Sequence, residues 1–149
     1  MTNNSSGAIF VRGYAIKYFQ HGRLFKNHDL LKVFAMWTVI FCDEFDHEFI
    51  TQFDEDMQNE VLAKARALEV GGPTIGRPYV DTLKGSRHPN MKELRFNYKS
   101  GVWRVAFAFD PKRDAVILVA GNKAGTSQSR FYKKLIKTAD QRYDNYLSS

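Results

Sequence analysis

Helical and extended patterns fall into separate blocks along this chain, and that order predicts an α+β domain. Three observations carry the reading. Residues 45–68 hold two helical stripes in succession, residues 91–121 hold three strand-like runs joined by short turns, and a long amphipathic segment closes the chain. With 149 residues, 44% of them hydrophobic, one domain has enough apolar side chains for a core without covalent staples. The lone cysteine, Cys42, rules out an internal disulfide and agrees with a reducing, cytoplasmic setting. His21, His28, His47 and His88 are scattered without zinc spacing, so no metal is expected, and no apolar run is long enough to span a membrane.

The first pattern is a strand. In MWTVIFC, residues 36 to 42, Trp37, Val39 and Phe41 alternate with Thr38, Ile40 and Cys42. A helix follows, because Phe45, Phe49 and Phe53 recur at i, i+4 and i+8. The next stretch repeats the signal with Met57, Val61, Ala65 and Leu68 on one face. Asp54 or Asp56 caps its start, and Gly71-Gly72 ends it. Two short helices with an acidic turn between them predict a helical hairpin. Residues 73–90 contain three prolines and read as a long loop, a place where function concentrates.

Three strands are then expected over residues 91–99, 102–110 and 115–121. Ser100-Gly101 as a two-residue turn pairs Lys99 with Val102, Phe96 with Val105 and Leu94 with Phe107, which brings the apolar faces together. It sets Asn97 opposite Arg104 and Arg95 opposite Ala106, so the two arginines are diagonal neighbours about 7–8 Å apart. Residues 115–121, AVILVAG, are apolar throughout, as in a strand covered on both sides. A closing helix is capped by Thr126 or Ser127 and buries Phe131, Leu135, Ala139, Tyr143 and Tyr146, with Lys133, Lys134 and Lys137 outward.

The net charge is +6, which favours an anionic partner such as nucleic acid. Residues 1–35 hold Arg12, Lys17, Arg23, Lys26 and Lys32 against Asp29 alone, so they account for +4 of it. They lack a clean period and are expected to be an N-terminal extension, with the domain proper spanning residues 36–149. An Arg-bearing leader and a small helical appendage fit that stretch. The preferred reading is an extension upstream of a start at Met36, where a self-sufficient pattern begins.

The run GRPYVDTLKG, then MKELRF, VWRVAFAFDP and VILVAGNKAG, in that order and spacing, resembles the RelE/ParE superfamily of toxins, in particular its phage-derived, HigB-like branch. The resemblance covers Met36 to about Leu147. It implies a helical hairpin packed on a twisted, mainly antiparallel sheet with a C-terminal helix. It also implies the toxin of a type II toxin–antitoxin pair, a metal-independent endoribonuclease that cuts messenger RNA in the ribosomal A site and needs no cofactor. The reaction uses the substrate's own 2′-hydroxyl and leaves a 2′,3′-cyclic end. The expected partners are the ribosome, its mRNA and a HigA-like antitoxin with a helix-turn-helix domain. The alternative within the superfamily is a ParE-like, non-enzymatic inhibitor of DNA gyrase.

In-line attack loads charge onto the phosphate oxygens, and fixed cations lower that barrier. Arginine suits the task, being always charged and able to bind phosphate through a two-pronged fork. Arg95 in MKELRF and Arg104 in VWRV match arginines that the family carries on successive strands. Lys123 in GNKAG follows the last strand, where RelE-like toxins place catalytic basic residues; it would stabilise charge, or act as a base if its pKa were lowered. Tyr132 matches a tyrosine of the closing helix and could stack on a base or exchange a proton. Arg130 lies near it and could hold the RNA backbone. RelE carries lysines just before its second-strand arginine, whereas this chain has Met91, Lys92 and Glu93. Lys92 and His88 are therefore added as substrate-binding candidates, with His88 able to move protons near neutrality. Glu93 is expected to form a surface bridge to one of the arginines.

Overall fold

The structure, a computed structural model, describes residues 37–149 in full and, before them, the backbone of residues 8–11 and 14–17. Those two early segments, β1 (Ala8–Val11) and β2 (Tyr14–Lys17), pair antiparallel as a separate two-stranded sheet. Nothing in the periodicity of that stretch announced a hairpin. The boundary drawn at Met36 falls on a residue outside the described ones.

The domain is α+β, as expected. Its elements run β3 (Thr38–Phe41), α1 (Asp43–Gln52), α2 (Glu55–Gly71), a 3₁₀ turn (Gly72–Thr74), β4 (Val80–Thr82), β5 (Met91–Tyr98), β6 (Gly101–Phe109), β7 (Asp114–Asn122) and α3 (Gln128–Leu147). One five-stranded sheet has the order β3-β7-β6-β5-β4, in which β3 runs parallel to β7 and every other pair is antiparallel. The apolar run of β7 is explained by its inner place between β3 and β6, with Ala115, Val116, Ile117 and Leu118 all buried.

The helical hairpin forms where the phenylalanine stripe required it. Phe45 and Phe49 are buried and meet Phe41 edge-on at 4.9 and 5.1 Å. Between the helices the chain turns extended at Phe53, and Asp54 then caps α2 by accepting the Met57 N–H at 2.8 Å. Gln58 stitches the corner, donating to the Phe49 and Phe53 carbonyls. The hairpin covers one face of the sheet: Phe53 packs on Trp103, and Lys64 of α2 lies over the Phe96 ring. Helix α3 covers the other face. A Cβ on Gly121 of β7 would sit 2.9 Å from the Phe131 ring, so glycine there is what lets α3 close onto the sheet.

The β5–β6 register differs from the expected one by two residues. Tyr98 faces Gly101, Phe96 faces Trp103 and Leu94 faces Val105. The turn residues are Lys99 and Ser100, with Lys99 at φ +50, the left-handed start that tight hairpins favour. Gly101 serves the strand instead of the turn, because a Cβ there would meet Trp103 Nε1 at 2.6 Å. A shift of two preserves which face each side chain takes, so the apolar match that suggested the first register holds equally in the second. The consequence for the arginines is direct: Arg95 lies opposite Arg104, not diagonal to it.

Between Ala106 and Phe107 the β6–β7 ladder slips by one residue, leaving Leu118 as an extra residue on β7. Its carbonyl accepts from Arg142 at 2.9 Å and from the Cys42 thiol at 3.4 Å. Arg142 also grips Glu48 with both nitrogens, which ties α3 to α1. Burial, with no nearby cation strong enough to offset it, pushes the Cys42 thiol up to about 12.

Loop 83–90, part of the stretch 73–90 expected to be a long functional loop, is bound to the C-terminal half of α3. Ser86 donates to Asp140 Oδ1, the Arg87 N–H donates to Asp140 Oδ2, and Asn90 donates to the Tyr143 hydroxyl and the Phe109 carbonyl. The three-residue β4 was hidden inside this proline-rich region. It closes the sheet edge beside β5, pairing Asp81 with Glu93.

Candidate active site

Arg95 of β5, Arg104 of β6 and Gly121 of β7 form one row across three strands, on the α3 side of the sheet. Directly opposed side chains have Cβ atoms about 4.5–5.5 Å apart, so two guanidiniums start from adjacent positions. Such a pair repels unless anions stand between or above it. One anion is built in. Glu93, two residues before Arg95 on the same face, is only 3% exposed, so it is a buried carboxylate and not the surface bridge expected. Its Oε1 accepts from Arg95 at 3.0 Å and from the Tyr132 hydroxyl at 3.2 Å. Its Oε2 is buried and has no hydrogen-bond partner among the described residues.

Tyr132 is the hinge of the cluster. Placed by the first turns of α3, its hydroxyl accepts from Arg104 Nε at 3.3 Å while donating to Glu93. Arg104 is buried, and its Nη1 is held by the Trp103 carbonyl at 2.9 Å. Burial raises the Tyr132 pKa, and the hydrogen bond to Glu93 acts in the same direction, against the Arg104 contact. The phenol is therefore a protonated donor at neutral pH. Lys123, at the end of β7, lies 5.9 Å from the centre of the Tyr132 ring. Its pKa is lowered, first by desolvation and then by the positive charges of Arg104 and Arg95, with Glu93 opposing. The lysine thus carries a proton that it gives up more readily than a solvated one.

Four of the seven residues named from the sequence come together here: Arg95, Arg104, Lys123 and Tyr132. Arg130 stands exposed one turn into α3, two residues from Tyr132, with its own N–H on the Ser127 cap. Lys92 is displaced to the opposite face, since it is three residues from Arg95 along a strand, and it bonds the Thr82 hydroxyl at 2.9 Å. His88 is drawn to the far end of α3, its Nε2 at 2.8 Å from Asp144 and its ring edge-on to Tyr143.

Sequence reasoning missed the extension of this row past Arg95. Asp81 of β4 lies 3.8 Å from Arg95 and pairs with Arg77 at 2.7 Å. Ahead of it, the Tyr79 carbonyl accepts the Arg95 N–H at 2.8 Å. In the sequence β4 is only VDT, too short to show a period of two, and three prolines around it read as loop.

A family model described as phage-derived protein Gp49-like matches residues 48–144. A Mycobacterium tuberculosis protein named toxin HigB2 is 44% identical over 67% of this chain and 50% of its own length. A second from the same organism, named toxin HigB3, is 45% identical over 64% of this chain and 82% of its own. The chain thus spans about half the length of the first relative. Among solved structures, an arginine-to-alanine double mutant of E. coli toxin RelE in the free state superposes with a TM-score of 0.48 at 14% identity, covering 68% of this chain and 96% of that one. With the family pattern running through well over half of its residues, the chain belongs to the phage-derived Gp49-like family, in the HigB-like branch that its motifs indicated.

Proposed function

We propose that the protein is the toxin of a type II toxin–antitoxin pair and acts as a ribosome-dependent mRNA endoribonuclease in the cytoplasm. The observation that supports this reading is the convergence of Arg95, Arg104, Lys123 and Tyr132 around one point of the sheet. The names of the HigB relatives support the toxin assignment. A gyrase inhibitor that performs no chemistry has no need of two opposed arginines beside a lysine of lowered pKa.

In the proposed reaction Arg95 and Arg104 bind the scissile phosphate. The 2′-hydroxyl oxygen of the preceding nucleotide attacks phosphorus and loses its proton to water. The bond to the following 5′-oxygen breaks, and Lys123 protonates the departing oxygen. A lysine with a lowered pKa suits that step, because proton transfer improves as the acid's pKa approaches the working pH. The two guanidiniums stabilise the charge that builds on the phosphate. Glu93 holds Arg95 and Tyr132 in place. Arg130, exposed at the start of α3, contacts the flanking backbone. The partner is a HigA-like antitoxin with a helix-turn-helix domain.

Primer extension on cellular mRNA after induction tests this. New 5′ ends within translated codons are expected with the parent chain and absent with Arg95→Ala. Growth arrest without new mRNA ends, accompanied by gyrase inhibition, would replace the endoribonuclease with the inhibitor.

A further inference from the structure

The row of site residues does not stop at Arg95. Beyond it, at the edge of the sheet, the Tyr79 carbonyl takes the Arg95 N–H at 2.8 Å, while the Tyr79 N–H turns away to the Gly76 carbonyl. Tyr79 is therefore locked one strand spacing from Arg95, about 5 Å, at the point where the edge strand begins. Asp81, two residues on, faces the site, since its carboxylate lies 3.8 Å from the Arg95 guanidinium. Tyr79 is the turn residue just before β4, and its bond to Arg95 carries the β4–β5 register one residue further, so that it lies opposite Arg95 as Asp81 lies opposite Glu93.

Its exposure is unusual. Among the described residues the large apolar side chains left in solvent are Ile50, Val70, Tyr79 and Leu147, and Tyr79, at 62%, is the one aromatic. Ile50, Val70 and Leu147 lie on helices; Tyr79 stands in line with the two arginines. Its neighbours Arg77 and Asp81 are occupied with each other at 2.7 Å, so the ring is flanked by a neutralised pair and not by a free charge.

We propose that Tyr79 is a base-stacking residue: one of the two nucleobases flanking the scissile phosphate lies on its ring. The proposal rests on the endoribonuclease reading and deepens it by naming what holds the RNA beside the phosphate. A phosphate seated on Arg95 and Arg104 carries a nucleoside on each side, and the one directed toward the sheet edge meets Tyr79. An aromatic face accepts any base, which makes Tyr79 a determinant of affinity and alignment more than of sequence.

Single-turnover cleavage on ribosomes programmed with a short mRNA tests it, with an abasic ribose placed in turn at each nucleotide flanking the cut. Tyr79→Ala is expected to lower kcat/KM by about tenfold, the usual order for losing one stacked base. Tyr79→Phe and Tyr79→Trp should restore most of it, and Tyr79→Leu should not. At one of the two positions the abasic substitution should slow the parent by a similar factor and leave Tyr79→Ala scarcely slower. Parent-like cleavage by Tyr79→Ala overturns the proposal, as do abasic penalties that multiply with the mutation at both positions. Failure of the parent to cleave, or cleavage by Arg95→Ala, instead overturns the endoribonuclease reading and removes the stacking role with it.

Discussion

The two halves of α3 treat their polar residues in opposite ways. From Ala139 onward almost every polar side chain is consumed internally. Asp140 holds loop 83–90, Arg142 grips Glu48 and the Leu118 carbonyl, Asp144 takes His88, and Tyr146 donates to Asp110 at 2.9 Å. Before Ala139, Arg130, Lys133, Lys134 and Lys137 stand in solvent, and Tyr132 reaches the arginine row. Arg130, in the first turn of α3, also sits at the positive end of the helix dipole, where a cation is disfavoured. One half is built to hold the fold together. The other leaves its charges in solvent, on the side where the proposed function puts the RNA backbone. A residue's half should therefore foretell whether its loss harms stability or cleavage.

The largest expected effect tests the row that Tyr132 joins. Arg95→Ala should lower cleavage a few hundred-fold, about 3–4 kcal/mol of transition-state stabilisation. Because Glu93 is buried, the same change also leaves a carboxylate short of a partner, and about 1–2 kcal/mol of stability should go with it. Adding Glu93→Gln should recover part of that stability in a denaturant titration without restoring cleavage. Arg95→Lys should restore only part of the activity, since an ammonium lacks the fork.

Next comes the anchored half. Arg142→Ala should cost about 2–3 kcal/mol of stability in a denaturant titration, because Glu48 and the Leu118 carbonyl lose a shared, mostly buried donor. Cleavage per folded molecule should stay near the parent value; a collapse of activity in well-folded protein would dissolve the distinction between the halves. His88→Ala is a milder version of the same test. A loss of about 1 kcal/mol with cleavage intact keeps His88 on the structural side, whereas lost cleavage at unchanged stability would return it to the site.

The smallest effect is a titration. The Lys123 ammonium, followed by NMR, should lose its proton with a midpoint below the ordinary 10.5. Removing a neighbouring positive charge in Arg104→Ala should move that midpoint up, and removing the opposing negative charge in Glu93→Gln should move it down. A midpoint that ignores both changes would separate Lys123 from the cluster.

The architecture was legible because its signals are local. Phe45, Phe49 and Phe53 specify a helical stripe whatever surrounds them, and MKELRF with VWRVAFAFD specifies two strands with compatible faces. Register was not, because faces repeat every two residues and two alignments serve the core alike; in the observed one Gly101 packs against Asn122 of β7, a contact 21 residues away in the chain. The row of Arg95, Arg104, Lys123 and Tyr132 was named through family resemblance, and its parts are far apart in the chain. Glu93 was misjudged as a surface residue because α3, which covers it, lies 35 or more residues away in sequence. His88 was named from the sequence as a substrate-binding candidate in a loop, and the packing of that loop sets it on Asp144 and Tyr143 instead.

The extra residue at Leu118 has an arithmetic consequence. A strand is a two-valued counter, and each residue flips the value. Before the slip Ile117 pairs with Phe107, and after it Val119 pairs with Ala106, so the count on β7 is advanced by one relative to β6. Without that advance Ala120, not Gly121, would face Arg104. Methyl would replace hydrogen under Phe131, and Lys123, two steps further on, would change sides with Gly121. Straightening β7 with Leu118 retained exchanges the faces of all that follow on the strand, whereas deleting Leu118 removes the bulge and keeps both pairings, Ile117 with Phe107 and Val119 with Ala106. The meeting of Lys123 with the arginines therefore depends on the parity of the chain as much as on the identity of any side chain in the site.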